Sequence, residues 1–231
     1  EILAAVRRFF NKRGFMEVDT PVLQEQAGGA AARPFYTHHS ALDRELALRI
    51  SLELHLKRLL VGGFDKVFEL GRVFRNEGRS HRHNPEFTLL ESYEAYADYE
   101  DVATMVENLF RYVIQETTGK QSITHGEQLL DLGASWKRTT YREALLEHTG
   151  IDYLSHPEAA QIRKLARDRG IEVTDDASWG TALDTIMSSL VEPHLIQPTF
   201  VFDYPAALSP LAKRKPEDPN LAERFELFVL G

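Results

Sequence analysis

Residues 67–99 read VFELGRVFRNEGRSHRHNPEFTLLESYEAYADY. Two runs with apolar residues at alternate positions flank a polar segment carrying Arg79, His81, Arg82, His83 and Asn84. Alternation predicts strands, and the polar insert predicts the loop of a long antiparallel hairpin spanning about 67–96. Side chains two apart on a strand share a face, so Phe87, Leu89, Glu91 and Tyr93 line up together. Arg75 and Glu77 close the opposing strand. Cations for phosphate, an aromatic plate for a base and carboxylates for an amine compose a site for a nucleotide and an amino acid. A charged hairpin face is more often simply solvated, and for a lone Arg or Glu that reading would stand.

Bulk composition narrows the classes. At 231 residues, 43% hydrophobic and 27% charged, the chain suits one large domain or a core with an insertion. No apolar run approaches the length of a membrane span, and no cationic leader precedes an apolar stretch, so neither membrane insertion nor secretion is expected. Zero cysteines exclude disulfides and thiolate metal sites. Any metal must therefore be a hard cation held by carboxylates and phosphates, most simply magnesium. A net charge of −8 argues against a general nucleic-acid binder, although four arginines and two histidines concentrate positive charge between Arg72 and His83.

Outward from the hairpin, helical and extended periods alternate. Ile2, Leu3, Val6, Phe9 and Phe10 predict a helix stopped at Gly14, followed by a strand over Phe15–Thr20 ending at Pro21. GGAAARPF, residues 28–35, is a loop of small residues that lets backbone approach a ligand closely. Glu45–Ile50 predicts a strand, and Ser51 caps a helix carrying Leu52, Leu56, Leu59 and Leu60. Glu53 lies in that helix's first turn, where a carboxylate suits the helix dipole. Asp98 with Asp101 opens a helix running to about Thr117, and residues 122–132 form a hairpin turning near Gly126. Thr140 with Glu143, and Ser155 with Glu158, open two more helices through capping boxes. A third covers Trp179–Val191, strand character returns over Pro193–Tyr204, and a last strand runs Arg224–Val229. His148, His156 and His194 lack ligand-like spacing.

The order F-R-N-E, then R-H-N-P-E-F, then L-E-S-Y resembles motif 2 of class II aminoacyl-tRNA synthetases, and among them the lysyl-tRNA synthetase family. The resemblance implies an α+β fold, a mainly antiparallel sheet flanked by helices, with residues 1–231 as one partial catalytic domain and a helical insertion at about 140–193. It implies ATP-dependent activation of lysine and transfer to tRNA(Lys), with L-lysine, ATP and the tRNA acceptor end as partners in the cytoplasm. It assigns Arg75 to the α-phosphate as the catalytic cation. Glu77, His83, Asn84 and Phe87 join it in binding ATP. Gly29, Glu53, Glu91 and Tyr93 are assigned to lysine, and Glu226 to magnesium. The helix and strand over 1–21 resemble motif 1 and imply a homodimer.

The family pattern also has an anticodon-binding domain before such a core and motif 3 after it, and neither is present in these residues. Two other functions are therefore weighed: a paralogue attaching a lysine-type group to elongation factor P, and an inactive or regulatory synthetase remnant. Aspartate and asparagine relatives carry a different string where His83-Asn84-Pro85-Glu86 stands.

Overall fold

The computed structural model describes residues 1–78, 80 and 83–231; Arg79, His81 and Arg82 of the basic loop lie outside the described residues. The chain divides into two compact units, Glu1–Ala97 and Asp98–Gly231.

The first unit runs α1 (Ile2–Lys12), β1 (Met16–Glu17), β2 (Leu23–Gln24), β3 (Tyr36–His39), β4 (Arg44–Leu48), α2 (Glu53–Val61), β5 (Lys66–Phe74) and β6 (Glu86–Glu94). α1 buries Ala5, Val6, Phe9 and Phe10. Phe10 stacks on Phe68 with ring centroids 4.7 Å apart, which fixes the helix against β5. Gly14, at φ +79°, reverses the chain into β1. The predicted strand over Phe15–Thr20 is only two residues long. After Val18, whose N–H donates to the Phe68 carbonyl, side chains replace the ladder: Arg49 donates to the Thr20 carbonyl, and the Thr20 hydroxyl donates to Glu69.

β5 and β6 form the predicted hairpin, and β1 joins β5 in parallel. Register places Val67 opposite Tyr93, Glu69 opposite Glu91, Gly71 opposite Leu89 and Val73 opposite Phe87. These eight residues share one face. α2 covers that face: Leu52, Leu56, Val67 and Val73 are buried together, with Phe87, Leu89 and Tyr93 packed against them. A fully buried Leu such as Leu56 is worth about 2–5 kcal/mol against Ala.

The second unit runs α3 (Tyr99–Thr118), β7 (Ser122–His125), β8 (Gln128–Asp131), β9 (Lys137–Thr140), α4 (Tyr141–Thr149), α5 (Ala159–Arg167), α6 (Trp179–Leu190), β10 (Thr199–Pro205) and β11 (Leu221–Phe228). Its three-stranded sheet has β10 in the centre, antiparallel to β11 and parallel to β9. α3 starts at Asp98/Asp101 as expected, there through a capping box, and the predicted Thr140/Glu143 box forms; Gly119 and Gly150 end their helices in the left-handed region. The predicted Ser155/Glu158 box is displaced. Asp152 caps a short 3-10 turn through Leu154, which absorbs Ser155, so α5 begins at Ala159 and Glu158 pairs with Gln161 instead. The strand expected from Pro193 starts only at Thr199, because residues Glu192–His194 form a second 3-10 turn. The last strand begins earlier than expected, at Leu221.

α4, α5 and α6 close over a core that includes Tyr141, Leu145, Ile162, Leu183 and Ile186, all inaccessible to solvent. The architecture is the expected α+β one, dominated by the antiparallel pairs β2–β4, β3–β4, β5–β6, β7–β8 and β10–β11. Among the described residues, no helix is long and apolar enough to cross a membrane.

Candidate active site

Arg75 follows β5 directly, and its N–H donates to the Pro85 carbonyl at 2.8 Å, keeping the hairpin paired one step past the strand. Its guanidinium carbon lies 5.3 Å from the centroid of the Phe87 ring, and its Nε donates to the Ile50 carbonyl at 3.2 Å. The cation is thus held between an aromatic face and a backbone dipole. Arg75, Glu77, Gly78, His83, Asn84 and Phe87 line one cavity of about 340 Å³. All five residues assigned to ATP therefore converge, although Asn84 is nine residues from Arg75 in sequence. His83 Nδ1 sits 2.8 Å from the Ser80 hydroxyl, which orients its ring.

The residues assigned to lysine gather around the start of α2. Glu91 Oε1 accepts from the Ser51 hydroxyl at 2.9 Å and from the Leu52 N–H at 3.0 Å, while Oε2 accepts from the Tyr93 hydroxyl at 2.9 Å. A carboxylate offers about four acceptor positions, so the described residues fill three and leave one on Oε2. Burial, reinforced by the Glu91 charge and hydrogen bond, pushes the Tyr93 phenol far above its ordinary value. It therefore stays protonated and donates. Glu53 is half-buried and pairs with Lys57 one turn along. Gly29 has φ +87°, and a Cβ there would lie 3.0 Å from the Ser51 hydroxyl and 3.1 Å from the Glu53 Cβ. The small-residue loop thus approaches the helix start as closely as it was expected to approach a ligand.

Ser51 is not the helix N-cap. Leu52 occupies that position, and Ser51 accepts from the Glu53 N–H one residue further out. The orphan N–H of Leu52 is satisfied from β6, by Glu91.

Two further residues on this face escaped the sequence reading. Arg49 and Glu69, each 2% exposed, form an ion pair at 2.6 Å. The alternation that placed Glu91 on the face also places Glu69 there, directly across the ladder, but nothing local in sequence pairs it with Arg49.

Glu226 lies on β11 in the second unit, where it is ion-paired with Arg224. Among the described residues, no group of three or more His, Cys, Asp or Glu side chains is placed to hold a metal. One carboxylate already neutralised by a guanidinium does not fit a protein-built magnesium site.

Known proteins resemble this chain along its whole length. The family model for class II tRNA synthetases (D, K and N) matches residues 1–231. The lysine–tRNA ligase of Staphylococcus saprophyticus is 50% identical over 231 residues, which is 100% of this chain and 47% of that protein. The lysine–tRNA ligase of Listeria monocytogenes is 52% identical over 231 residues, again 100% of this chain and 46% of that protein. That of Dehalococcoides mccartyi strain 195 is 51% identical over 226 residues, 98% of this chain and 45% of its own length. The chain spans about half the length of the curated relatives it matches.

Proposed function

The chain belongs to the class II tRNA synthetases of the D, K and N group, and from that membership we propose that it is a lysine-activating catalytic core, forming lysyl-adenylate from lysine and ATP for transfer to tRNA(Lys). The observation that supports this reading most is the convergence of Arg75, Glu77, His83, Asn84 and Phe87 on one cavity.

In the first step an oxygen of the lysine carboxylate bonds to the α-phosphorus while the bond to the pyrophosphate oxygen breaks. The nucleophile is already an anion, so no proton has to leave it and no general base is needed. The barrier comes from bringing two anions into line, which leaves positioning and charge neutralisation as the protein's task. Arg75 is suited to the α-phosphate. A guanidinium has five N–H donors; its Nε is given to Ile50, and among the described residues no hydrogen bond occupies the fork, which suits phosphate oxygens. Phe87 supplies the stacking face for adenine, Glu77 and Asn84 reach its edge, and His83 faces the outer phosphates. Magnesium arriving with ATP would supply charge neutralisation at the pyrophosphate.

At the amine end, the open acceptor position on Glu91 Oε2 is the partner for the lysine ε-ammonium, which is costly to desolvate unpaired. Glu53 and Gly29 serve the α-amino group. A homodimer through residues 1–21 is part of the same proposal; Ile2, Leu3 and Met16 there are 60%, 50% and 51% exposed. Cytoplasmic location and docking of the tRNA acceptor end complete it. The names of the relatives favour the tRNA reading over the elongation factor P paralogue.

Lysine-dependent exchange of pyrophosphate into ATP tests the proposal. Exchange with lysine and none with aspartate or asparagine is expected. A cooperatively folded protein with no exchange would overturn it.

A further inference from the structure

Residues 49–52, four in a row, hydrogen-bond both on the Arg75 side and on the Glu91 side. The Arg49 carbonyl accepts from the Phe74 N–H at 2.9 Å, and the Ile50 carbonyl accepts from Arg75 Nε at 3.2 Å. The Ser51 hydroxyl and the Leu52 N–H both donate to Glu91 Oε1. One short piece of backbone therefore sets where the phosphate-side guanidinium and the amine-side carboxylate stand relative to each other.

The Arg49 side chain fixes that piece. Its Nε donates to the Arg72 carbonyl at 2.7 Å, and its Nη1 donates to the Thr20 carbonyl at 2.8 Å and to Glu69 Oε1 at 2.6 Å. Glu69 is completed by the Thr20 hydroxyl at 2.6 Å. The guanidinium lies where a side chain on Gly71 would stand: a Cβ there would be 2.3 Å from Arg49 Nη2. Neither feature is explained by stability. A buried ion pair is often no better than apolar residues of the same volume, and a glycine weakens a strand interior. Their common product is a fixed path for residues 49–52.

We propose that Arg49 is a positioning residue, which through Glu69 and Thr20 holds the Arg75 and Glu91 ends of the pocket in mutual register; this rests on the lysine-activation reading above. In-line attack requires that register, whereas binding of either substrate alone does not.

The test is the double substitution Arg49→Met with Glu69→Leu, which removes both charges together, alongside the isosteric Thr20→Val, which removes one hydroxyl. In the double variant kcat for lysine-dependent exchange is expected to fall about a hundredfold, the cost of roughly 1 Å of misplacement. The KM values for lysine and ATP are expected to stay within about threefold, because each end remains built. Thr20→Val should lower kcat by about three- to tenfold with the same KM pattern, and it decides the question if the double variant does not fold. Amide hydrogen exchange supplies a readout independent of activity: Leu52 and Phe74 should lose protection while the centre of β5–β6 keeps it. A kcat within about twofold of the unsubstituted protein in the folded variants, or unchanged protection at Leu52 and Phe74, would show that Arg49 is only a buried charge pair. Absence of lysine-dependent exchange in the unsubstituted protein would instead strike the functional reading, and the amide protection would still decide the placement of residues 49–52.

Discussion

Among the described residues, Glu1–Ala97 takes Arg49, Glu69, Ser51, Thr20 and Gln24 out of water, whereas Asp98–Gly231 buries only Thr139, Thr199 and Ser209 among the non-aromatic polar residues. The apolar content differs in the opposite sense. The second unit packs the large cluster around Tyr141, Ile162 and Leu183, and a second around Trp136 and Phe200. Burying charge is an inefficient route to stability, because desolvation consumes most of the Coulombic gain. Burying hydrocarbon is an efficient one, at about 25 cal/mol per Å². The contrast separates a unit organised around the placement of a few polar atoms from one organised around a core, and it makes opposite predictions for substitutions in the two.

The largest effect belongs to Arg75. Arg75→Ala should lower lysine-dependent pyrophosphate exchange by about a hundredfold or more, roughly 3–4 kcal/mol for losing a charge-assisted contact to a developing anion. Arg75→Lys should recover little, since an ammonium cannot reproduce the fork. Single-turnover rates and a thermal melt on the same samples check this, and the melt should barely move.

Glu91→Gln comes next. The glutamine oxygen can still accept from Ser51 and Leu52, so α2 keeps its cap, while the charge and the Oε2 acceptor facing Tyr93 and the substrate are lost. The Michaelis constant for lysine should rise by an amount worth about 3 kcal/mol, with that for ATP little changed. Equal lysine affinity in the two proteins would make Glu91 a helix cap and nothing more.

In the second unit the pattern should invert. Leu183→Ala, at a site with no solvent access, should cost about 2–3 kcal/mol of stability. Urea denaturation should register the loss while both Michaelis constants stay put. A change in lysine affinity there would erase the contrast between the units.

The smallest effect concerns Glu143. Its carboxyl is held below the ordinary carboxylate value, chiefly by the backbone N–H of Thr140 that it accepts from, and also by the Thr140 hydroxyl. A depressed carboxylate contributes stability above its unfolded pKa and loses it as pH falls through the folded one. The melting temperature of the wild type should therefore exceed that of Glu143→Gln at neutral pH, and the gap should close in acid.

What could be read in advance was whatever is short-range. The alternation in 67–96 gave the hairpin and its face, and Asp98/Asp101, Thr140/Glu143 and Gly119 gave helix ends, because each of those signals sits within one turn or one pleat of its effect. The string around Arg75 and Asn84 identified the residues that line the cavity. Ser51 was misplaced as a cap because the group that satisfies Leu52 is 39 residues away on β6. The strand over Phe15–Thr20 was overestimated for a related reason: Arg49 and Glu69 capture Thr20 and end its pairing. Ser155 failed for a local one, since Asp152 claims it for a 3-10 turn three residues earlier. The Arg49–Glu69 pair itself was invisible, since twenty residues and a helix separate two charges that individually resemble surface residues.

Gly71 has a consequence for how this sequence can drift. Adding a methyl group there while Arg49 remains brings Cβ to 2.3 Å of a guanidinium that three partners prevent from yielding. Losing Arg49 first leaves Glu69 charged and unpaired in a dry sheet, a deficit on the order of 3–5 kcal/mol; losing Glu69 first strands the arginine. Each of these single steps passes through a less stable protein, so positions 49, 69 and 71 constrain one another, and replacing the arrangement without that deficit takes at least two changes together.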